Sequence, residues 1–165
     1  MPNHFYLDAS ALAKRYAPEP GTPVINHLFS HAPAQRLFVL HLGVAEVVSI
    51  LVRKHNAKIL PPALAAQAFA NLEAEIINQP LLQKLDAEAD LISAALTLIR
   101  RHSINATDAA LLRSALDLAA DLQRNGDDLV LVASDQRLLR AAQAEGLLRI
   151  NPEMQTAADL DLLLV

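Results

Sequence analysis

The sequence predicts one α/β domain of three layers, in which helices flank a central parallel sheet of about five short strands. Two patterns predict this fold class. Short apolar runs lack the alternation of half-exposed strands, as is typical of strands buried on both faces. Segments with helical periodicity separate these runs, as in a sheet whose parallel strands are joined by helices. The length of 165 residues and the hydrophobic content of 53% suit a single domain with a substantial core.

Four apolar runs are the candidate strands. They are FYL at residues 5–7, LFVL at 37–40, LVLV at 129–132 and LRI at 148–150. A helical segment follows each of the first three runs closely. We therefore expect strand-to-helix junctions at the carboxyl edge of the sheet, where the ligands of such sheets bind.

Seven helical segments are predicted around these strands. They are residues 9–16, a segment that begins near Thr22 with Pro23 in its first turn, and residues 44–55, 61–79, 86–102, 108–124 and 135–145. Gly126 and Gly146 follow the last two segments, where a left-handed residue is favoured. The fourth and fifth segments are predicted to form an antiparallel helical pair, a helical excursion over about residues 62–102. This pair is either a surface for a partner or plain core packing.

Composition excludes several classes of protein. The formal net charge of −4 argues against a chain that holds nucleic acid through its overall charge, although an acidic pocket filled with cations remains compatible with phosphate binding. The absence of cysteine excludes disulfides, thiol nucleophiles and cysteine zinc sites. The first residues lack the basic flank and apolar run of a signal peptide, and no apolar stretch approaches the ~18 residues of a membrane span. We therefore expect a cytoplasmic protein with no membrane contact.

Carboxylates occupy four of the predicted junctions. They are Asp8 after the first strand, Glu46 in the first turn after the second, Asp108 at the start of the helix 108–124 and Asp135 at the start of the next helix. Because parallel strands end at one edge of a sheet, we expect these side chains to share one site.

Each acid also has a simpler interpretation. Acidic residues favour helix N-termini, where they cap free N–H groups. Glu46 could equally be a surface residue, since Ser49 and Arg53 follow it on the same helix face. Thr107 and Ser134 precede two of the aspartates, and we expect these hydroxyls to cap the helices and leave the acids free.

Carboxylates gathered in one place repel each other unless a cation lies among them. Mg²⁺ and Mn²⁺ prefer oxygen ligands and are the expected occupants. His27 and His31 have the spacing of a zinc pair, but no glutamate lies between them, so we interpret them as surface residues of a helix. A divalent-cation pocket suits phosphate-ester hydrolysis, because the cation lowers the pKa of water and neutralises the phosphate.

Four segments of the chain, FYLDASALAKRY, GVAEVVSIL, INATDAALLRSAL and LVLVASDQRLLRAAQAEGL, carry these acids in order. Together they resemble the motifs of the PIN-domain family of metal-dependent nucleases, in particular the VapC-type toxins of bacterial toxin–antitoxin pairs. The closing LLRINPE resembles the last strand of that family. The resemblance implies that residues 1–165 form a single PIN-like domain.

The resemblance also implies an endoribonuclease that hydrolyses RNA phosphodiester bonds with Mg²⁺ or Mn²⁺. The residues at the positions of the family's catalytic and metal-binding acids are Asp8, Glu46, Asp108 and Asp135. Ser10 corresponds to a hydroxyl residue that orients the first acid, with a plain helix-start role as its alternative. Lys14 and Arg15 are candidate phosphate contacts. Implied partners are an antitoxin protein, as in a type II toxin–antitoxin system, and a second copy in a homodimer.

Other functions stay open from the sequence. A stand-alone PIN-domain nuclease without an antitoxin and a catalytically inactive PIN-fold binding module would both keep this fold. A HAD-like phosphatase would need Asp-x-Asp after the first strand. Ser10 stands at the second position of that motif, which disfavours the phosphatase.

Overall fold

The computed structural model describes residues 2–164 and contains a five-stranded sheet in which all strands are parallel. The strands are β1 (Asn3–Leu7), β2 (Leu37–Leu40), β3 (Gln83–Leu85), β4 (Asp128–Val132) and β5 (Leu148–Ile150). Their order across the sheet is β3-β2-β1-β4-β5. The predicted α/β class, with a parallel sheet between layers of helices, is confirmed.

Helices connect and follow these strands. They are α1 (Ala9–Leu12), α2 (Thr22–His31), α3 (His41–Asn56), α4 (Pro62–Leu72), α5 (Ala89–His102), α6 (Ala106–Gln123), α7 (Gln136–Ala144) and α8 (Ala157–Leu164). A 3₁₀ turn extends α1, and a π-helical turn over Glu73–Ile77 extends α4. Gly126 and Gly146 have φ angles of +82° and +80°, which is the left-handed conformation expected where α6 and α7 end. Of the helices in residues 2–164, none has both the length and the apolar character needed to cross a bilayer.

Two hydrophobic layers enclose the sheet. Phe5 and Leu7 of β1 pack against α1–α4 and α8, whereas Tyr6 packs against α5, α6 and α7. All three side chains are fully buried. Burial on both faces explains why the strand runs are apolar without alternation.

The segment between β2 and β4 differs from the predicted helical pair. It contains β3, which pairs with β2 at one edge of the sheet. Residues of α4 belong to the hydrophobic layer on one face, and residues of α5 belong to the layer on the other. The prediction that these segments pair with each other is therefore wrong, because an edge strand lies between them and the sheet separates them.

Candidate active site

A crevice opens at the carboxyl edge of the sheet, between β1 and β4. The chain leaves β1 toward β2 through helices on one face and reaches β4 through helices on the other, so the strand order reverses at β1. Crevices at such reversals are the usual ligand sites of parallel sheets. Asp8 directly follows β1, and its backbone N–H donates to the carbonyl of Val132, the last residue of β4, at 2.9 Å. The first acid is thereby fixed at the reversal point.

Ser10 holds the carboxylate of Asp8, which is only 5% exposed. The Asp8 Oδ2 accepts hydrogen bonds from the Ser10 backbone N–H at 2.9 Å and from the Ser10 hydroxyl at 2.5 Å. The Ser10 Oγ in turn accepts the backbone N–H of Ser134 at 2.9 Å. Asp8 is therefore the cap of α1, and the hydroxyl also ties β1 to the segment that follows β4.

Asp135 caps α7 with its own side chain. Its Oδ1 accepts hydrogen bonds from the backbone N–H groups of Arg137 at 2.8 Å and Leu138 at 3.0 Å. The expectation that Ser134 caps this helix is wrong, because Asp135 itself is the extended residue that precedes the first turn. The simpler interpretation of Asp135 as a cap is thus correct, and the same carboxylate also faces the crevice.

Asn105 caps α6, in place of the expected Thr107. The Asn105 Oδ1 accepts the Asp108 backbone N–H at 2.8 Å, and its Nδ2 donates to the Asp108 Oδ2 at 2.8 Å. Thr107 lies inside the first turn of α6, where its hydroxyl cannot act as the cap. The Asn105 amide therefore both starts the helix and positions the third acid.

One face of α3 completes the crevice. Glu46, Ser49, Ile50 and Arg53 all line it. These residues recur at the three- and four-residue spacing of a single helix face. Sequence reasoning assigned only Glu46 to the site and interpreted Ser49 and Arg53 as neighbours on a surface face of the helix. Their spacing from Glu46 was the signal that could have found them.

The result is a cleft of about 320 Å³ whose lining includes all four predicted carboxylates. Burial raises the pKa of Asp8, and the hydrogen bonds from Ser10 oppose this rise. Burial also raises the pKa of Asp108 to about 7, assisted by the negative charges of Asp8, Asp135 and Glu46. The pKa of Glu46 is raised by burial and by the charge of Asp8. Like charges therefore repel one another across the cleft.

The donor set of the cleft fits a hard divalent cation, because its carboxylate oxygens are the ligands that Mg²⁺ and Mn²⁺ prefer. Such a cation would also relieve the repulsion that raises the pKa of Asp108. In residues 2–164, however, no three histidine, aspartate or glutamate side chains are grouped closely enough to hold a metal ion. One carboxylate oxygen of each aspartate accepts hydrogen bonds: Asp8 from Ser10, Asp108 from Asn105, and Asp135 from the first turn of α7. The second oxygen of Asp108 and that of Asp135 take no part in these bonds.

The structure places Lys14 and Arg15 outside the cleft. Lys14 is 3% exposed, and its ammonium donates to Glu19 at 3.1 Å and to Glu153 at 2.6 Å. Arg15 donates to both carboxylate oxygens of Glu75, at 2.6 and 2.8 Å. Both cations are thus engaged by carboxylates, whereas Arg53 lines the cleft.

Comparisons with known proteins rest on structure alone, since neither a protein-family model nor a curated protein matches the sequence. PAE2754 from Pyrobaculum aerophilum is similar over 98% of this chain and 99% of its own, with 22% identity and a TM-score of 0.63. FitAcB from Neisseria gonorrhoeae covers 92% of this chain and 99% of its own, with 17% identity and a TM-score of 0.60.

Mycobacterium tuberculosis VapC20, a toxin that cleaves the sarcin–ricin loop, is similar over 92% of this chain and 99% of its own. Its identity is 17% and its TM-score is 0.60. These structural neighbours are PIN-domain proteins. The identities are low, so the likeness concerns the fold, and it extends over nearly the whole chain. The protein therefore has the PIN fold.

Proposed function

We propose that the chain is a metal-dependent endoribonuclease that hydrolyses RNA phosphodiester bonds. The observation that carries the proposal is the convergence of Asp8, Glu46, Asp108 and Asp135 on one cleft at the strand-order reversal. Burial first, and then repulsion from the neighbouring carboxylates, raises the pKa of Asp108, and this accumulation of negative charge favours a cation. The PIN fold, shared with a toxin that cleaves RNA of the sarcin–ricin loop, supports the same substrate class.

In this mechanism the four carboxylates would hold Mg²⁺ or Mn²⁺. When bound, such a cation would supply positive charge at the scissile phosphate and would lower the pKa of the attacking water. Ser10 keeps the Asp8 carboxylate in its orientation through the 2.5 Å hydrogen bond. Arg53 lines the same cleft, and its guanidinium would donate hydrogen bonds to a non-bridging phosphate oxygen of the substrate.

RNA cleavage by the purified chain tests the proposal. We expect a single-stranded RNA to be cut with Mg²⁺ or Mn²⁺, and cutting to stop when EDTA removes the metal and to resume when it is restored. Asp8→Asn should abolish cleavage, whereas Asp121→Asn should not, because Asp121 is an exposed residue of α6 paired with Arg124. Cleavage that persists in Asp8→Asn, or in EDTA, would contradict the mechanism.

We further propose that the nuclease is the toxin of a type II toxin–antitoxin pair, that it acts in the cytoplasm, and that it forms a homodimer. The fold shared with VapC20 supports the toxin assignment. Its test is the adjacent reading frame, which should encode a small DNA-binding protein that co-purifies with this chain and inhibits cleavage. A nuclease that is active with no such neighbour would be a stand-alone PIN enzyme. Sedimentation at micromolar concentration tests the dimer.

A catalytically inactive binding module is the second candidate. The observation in its favour is that, within residues 2–164, no group of three potential ligands is positioned to hold a metal. Thermal unfolding separates the two functions. A nuclease site should raise the melting temperature when millimolar Mn²⁺ is added, because a ligand that binds only the folded state stabilises it. An unchanged melting temperature favours the inactive module.

A further inference from the structure

A second groove runs along α7 and β5. It has a volume of about 390 Å³. Its lining includes Gln136, Arg140 and Gln143 of α7, Arg149 of β5, and Asn151 and Met154 of the following turn. We call it the α7–β5 groove.

The α7–β5 groove differs from the cleft in its charge. Two arginines line it, and its described lining contains no carboxylate. In residues 2–164, neither Arg140 nor Arg149 forms an ion pair; Arg149 donates instead to the Gln143 Oε1 at 2.6 Å. The net charge of the chain is −4, so these cations stand out as a local site for an anion.

The other side chains of the groove suit the uncharged parts of a nucleotide. Asn151 is 7% exposed, and its Oδ1 accepts the Glu153 backbone N–H at 3.0 Å. Its Nδ2 is buried without a hydrogen-bond partner, which is a costly arrangement that an acceptor in a ligand would relieve. Met154 is 75% exposed, and a thioether makes favourable contacts with an aromatic ring.

The groove continues from the cleft around the start of α7. Gln136 directly follows Asp135, which lines the cleft. Asn151 directly follows β5, whose last carbonyl, at Ile150, accepts the Ala133 backbone N–H at 3.2 Å. Neighbouring parallel strands lie about 4.8 Å apart, so the two sites share the carboxyl edge of the sheet.

We propose that the α7–β5 groove binds the nucleotide next to the scissile phosphodiester of a single-stranded RNA, an inference that rests on the proposed function. Arg140 and Arg149 hold its phosphate, the amides of Asn151 and the glutamines contact the base edge, and Met154 packs on the base. The cations suit a phosphate, the amides suit the edge of a base and the exposed thioether suits its face, whereas an acidic peptide offers no ring for the thioether.

The test measures the affinity for a fluorescent 12-nucleotide RNA by anisotropy, with Ca²⁺ replacing Mn²⁺ to prevent turnover. The variants are Arg140→Ala, Arg149→Ala and both together. Arg124→Ala is the matched control, because it removes one exposed arginine from the end of α6, before β4 starts at the opposite edge of the sheet. We expect the double variant to bind about tenfold more weakly and its slope of log affinity against log salt to fall by about 1.4. The control should match the wild type, and the melting-temperature shift with Mn²⁺ should stay unchanged in all.

The possible results distinguish a failure of the groove proposal from a failure of the proposed nuclease function. If the wild type cleaves RNA while the double variant keeps its affinity and salt slope, the groove proposal fails and the function stands. If RNA binding depends on the arginines but no RNA is cut, the groove is a site for single-stranded RNA and the nuclease function fails. A wild type that neither binds nor cuts RNA overturns both. Arginine-dependent binding of oligo-glutamate without RNA binding would assign the groove to an acidic protein segment and overturn the proposal.

Discussion

Two regions of the molecule contain buried or half-buried charged side chains. In one region opposite charges are paired, and in the other like charges lie close together. In the first region, Lys14 lies between Glu19 and Glu153, and Lys54 donates to the second oxygen of Glu19 at 2.8 Å. Burial alone raises the pKa of Glu19, but the hydrogen bonds from Lys54 and Lys14 outweigh it and hold the pKa below its ordinary value. Each charged group in this cluster forms an ion pair with a group of opposite charge.

In the second region, the cleft, like charges face one another. The pKa of Asp108 rises to about 7, first through burial and then through three neighbouring carboxylates. Buried charge thus stabilises the fold where it is paired with its opposite, and it forms a potential cation site where it is not. Neutralising a charge in the Lys14 cluster should therefore cost stability, and neutralising one in the cleft should cost function.

The largest expected effect is on cleavage, in Asp135→Asn. Asparagine caps helices as well as aspartate does, so the start of α7 should persist while the charge disappears. We expect the cleavage rate to fall by about 10³-fold, on the scale of losing one preorganised electrostatic contact of a transition state. Initial rates with a fluorogenic RNA measure this, and circular dichroism checks that the fold is intact. A loss below tenfold would place Asp135 outside the site.

The second effect should appear in the Lys14 cluster, in Lys14→Met. Removing this buried ammonium leaves Glu19 with one partner and Glu153 with none. We expect a loss of about 2–3 kcal/mol in the free energy of unfolding by urea, below the full cost of a broken buried pair because both carboxylates are partly exposed. Lys54→Met is the comparator and should cost less, since Glu19 keeps Lys14. Weakened Mn²⁺ binding in Lys14→Met would contradict the separation of the two regions.

The third effect concerns the orientation of Asp8. Ser10→Ala removes the 2.5 Å hydrogen bond and the link to Ser134. Loss of a group that orients a metal ligand typically weakens metal binding by at least tenfold. We expect about a tenfold drop in Mn²⁺ affinity, close to 1.4 kcal/mol, by calorimetry. Ser93→Ala, on an exposed face of α5, is the control. Equal Mn²⁺ affinities in the two variants would remove Ser10 from the site.

The smallest effect is on the stability of the metal-free protein. The pKa of Asp108 is about 7 in the folded state against an ordinary 3.8. Between these values the folded protein keeps a proton that the unfolded chain has released, so this group makes stability decline as the pH rises from about 4 to about 7. We expect Asp108→Asn to be about 1 kcal/mol more stable than wild type at pH 8, after allowance for its partial exposure.

For a protein of this size that gain corresponds to about 2–4 °C in melting temperature. The difference should shrink at pH 5 and reverse in sign when Mn²⁺ is added, because only the wild type gains the full benefit of the cation. Thermal scans in EDTA and in Mn²⁺ measure both. A variant that is less stable than wild type in EDTA at pH 8 would show that the repulsion is absent.

Strands buried on both faces could be predicted from the sequence, and the edge strand β3 could not. The runs of β1, β2 and β4 are apolar because helices cover both faces of the sheet. β5 is an edge strand as well, with Leu148 and Arg149 exposed, but two of its three residues are apolar. β3, which is Gln83, Lys84 and Leu85, has only one apolar residue. Its Lys84 ammonium donates to the carbonyls of Ile76 and Gln79 at 3.1 and 2.8 Å, contacts that no local pattern reveals. Missing β3 caused the incorrect helical pair.

The convergence of the four acids could be predicted, because parallel strands end at the same edge of a sheet. The residues that hydrogen-bond to these acids could not be predicted. Asn105 and Thr107 are both acceptable caps, and only the position where the backbone turns into α6 decides between them. Lys14 is paired with Glu153, which lies 139 residues away. The residues around Asp8 therefore do not reveal this pairing, and from them Lys14 is a candidate phosphate contact. Contacts between distant residues therefore account for most of what sequence reasoning missed.

The hydrogen bonds that join Asp8 to Val132 and Ser10 to Ser134 have a consequence for synthesis of the protein. A ribosome that has released only the first 120 residues has exposed Asp8, Glu46 and Asp108, but not the strand that fixes them. The growing chain thus contains three of the four cleft carboxylates before β4 is available to hold them in place. Because β4, Asp135 and β5 complete the edge of the sheet, the cleft can form only after translation has passed residue 150.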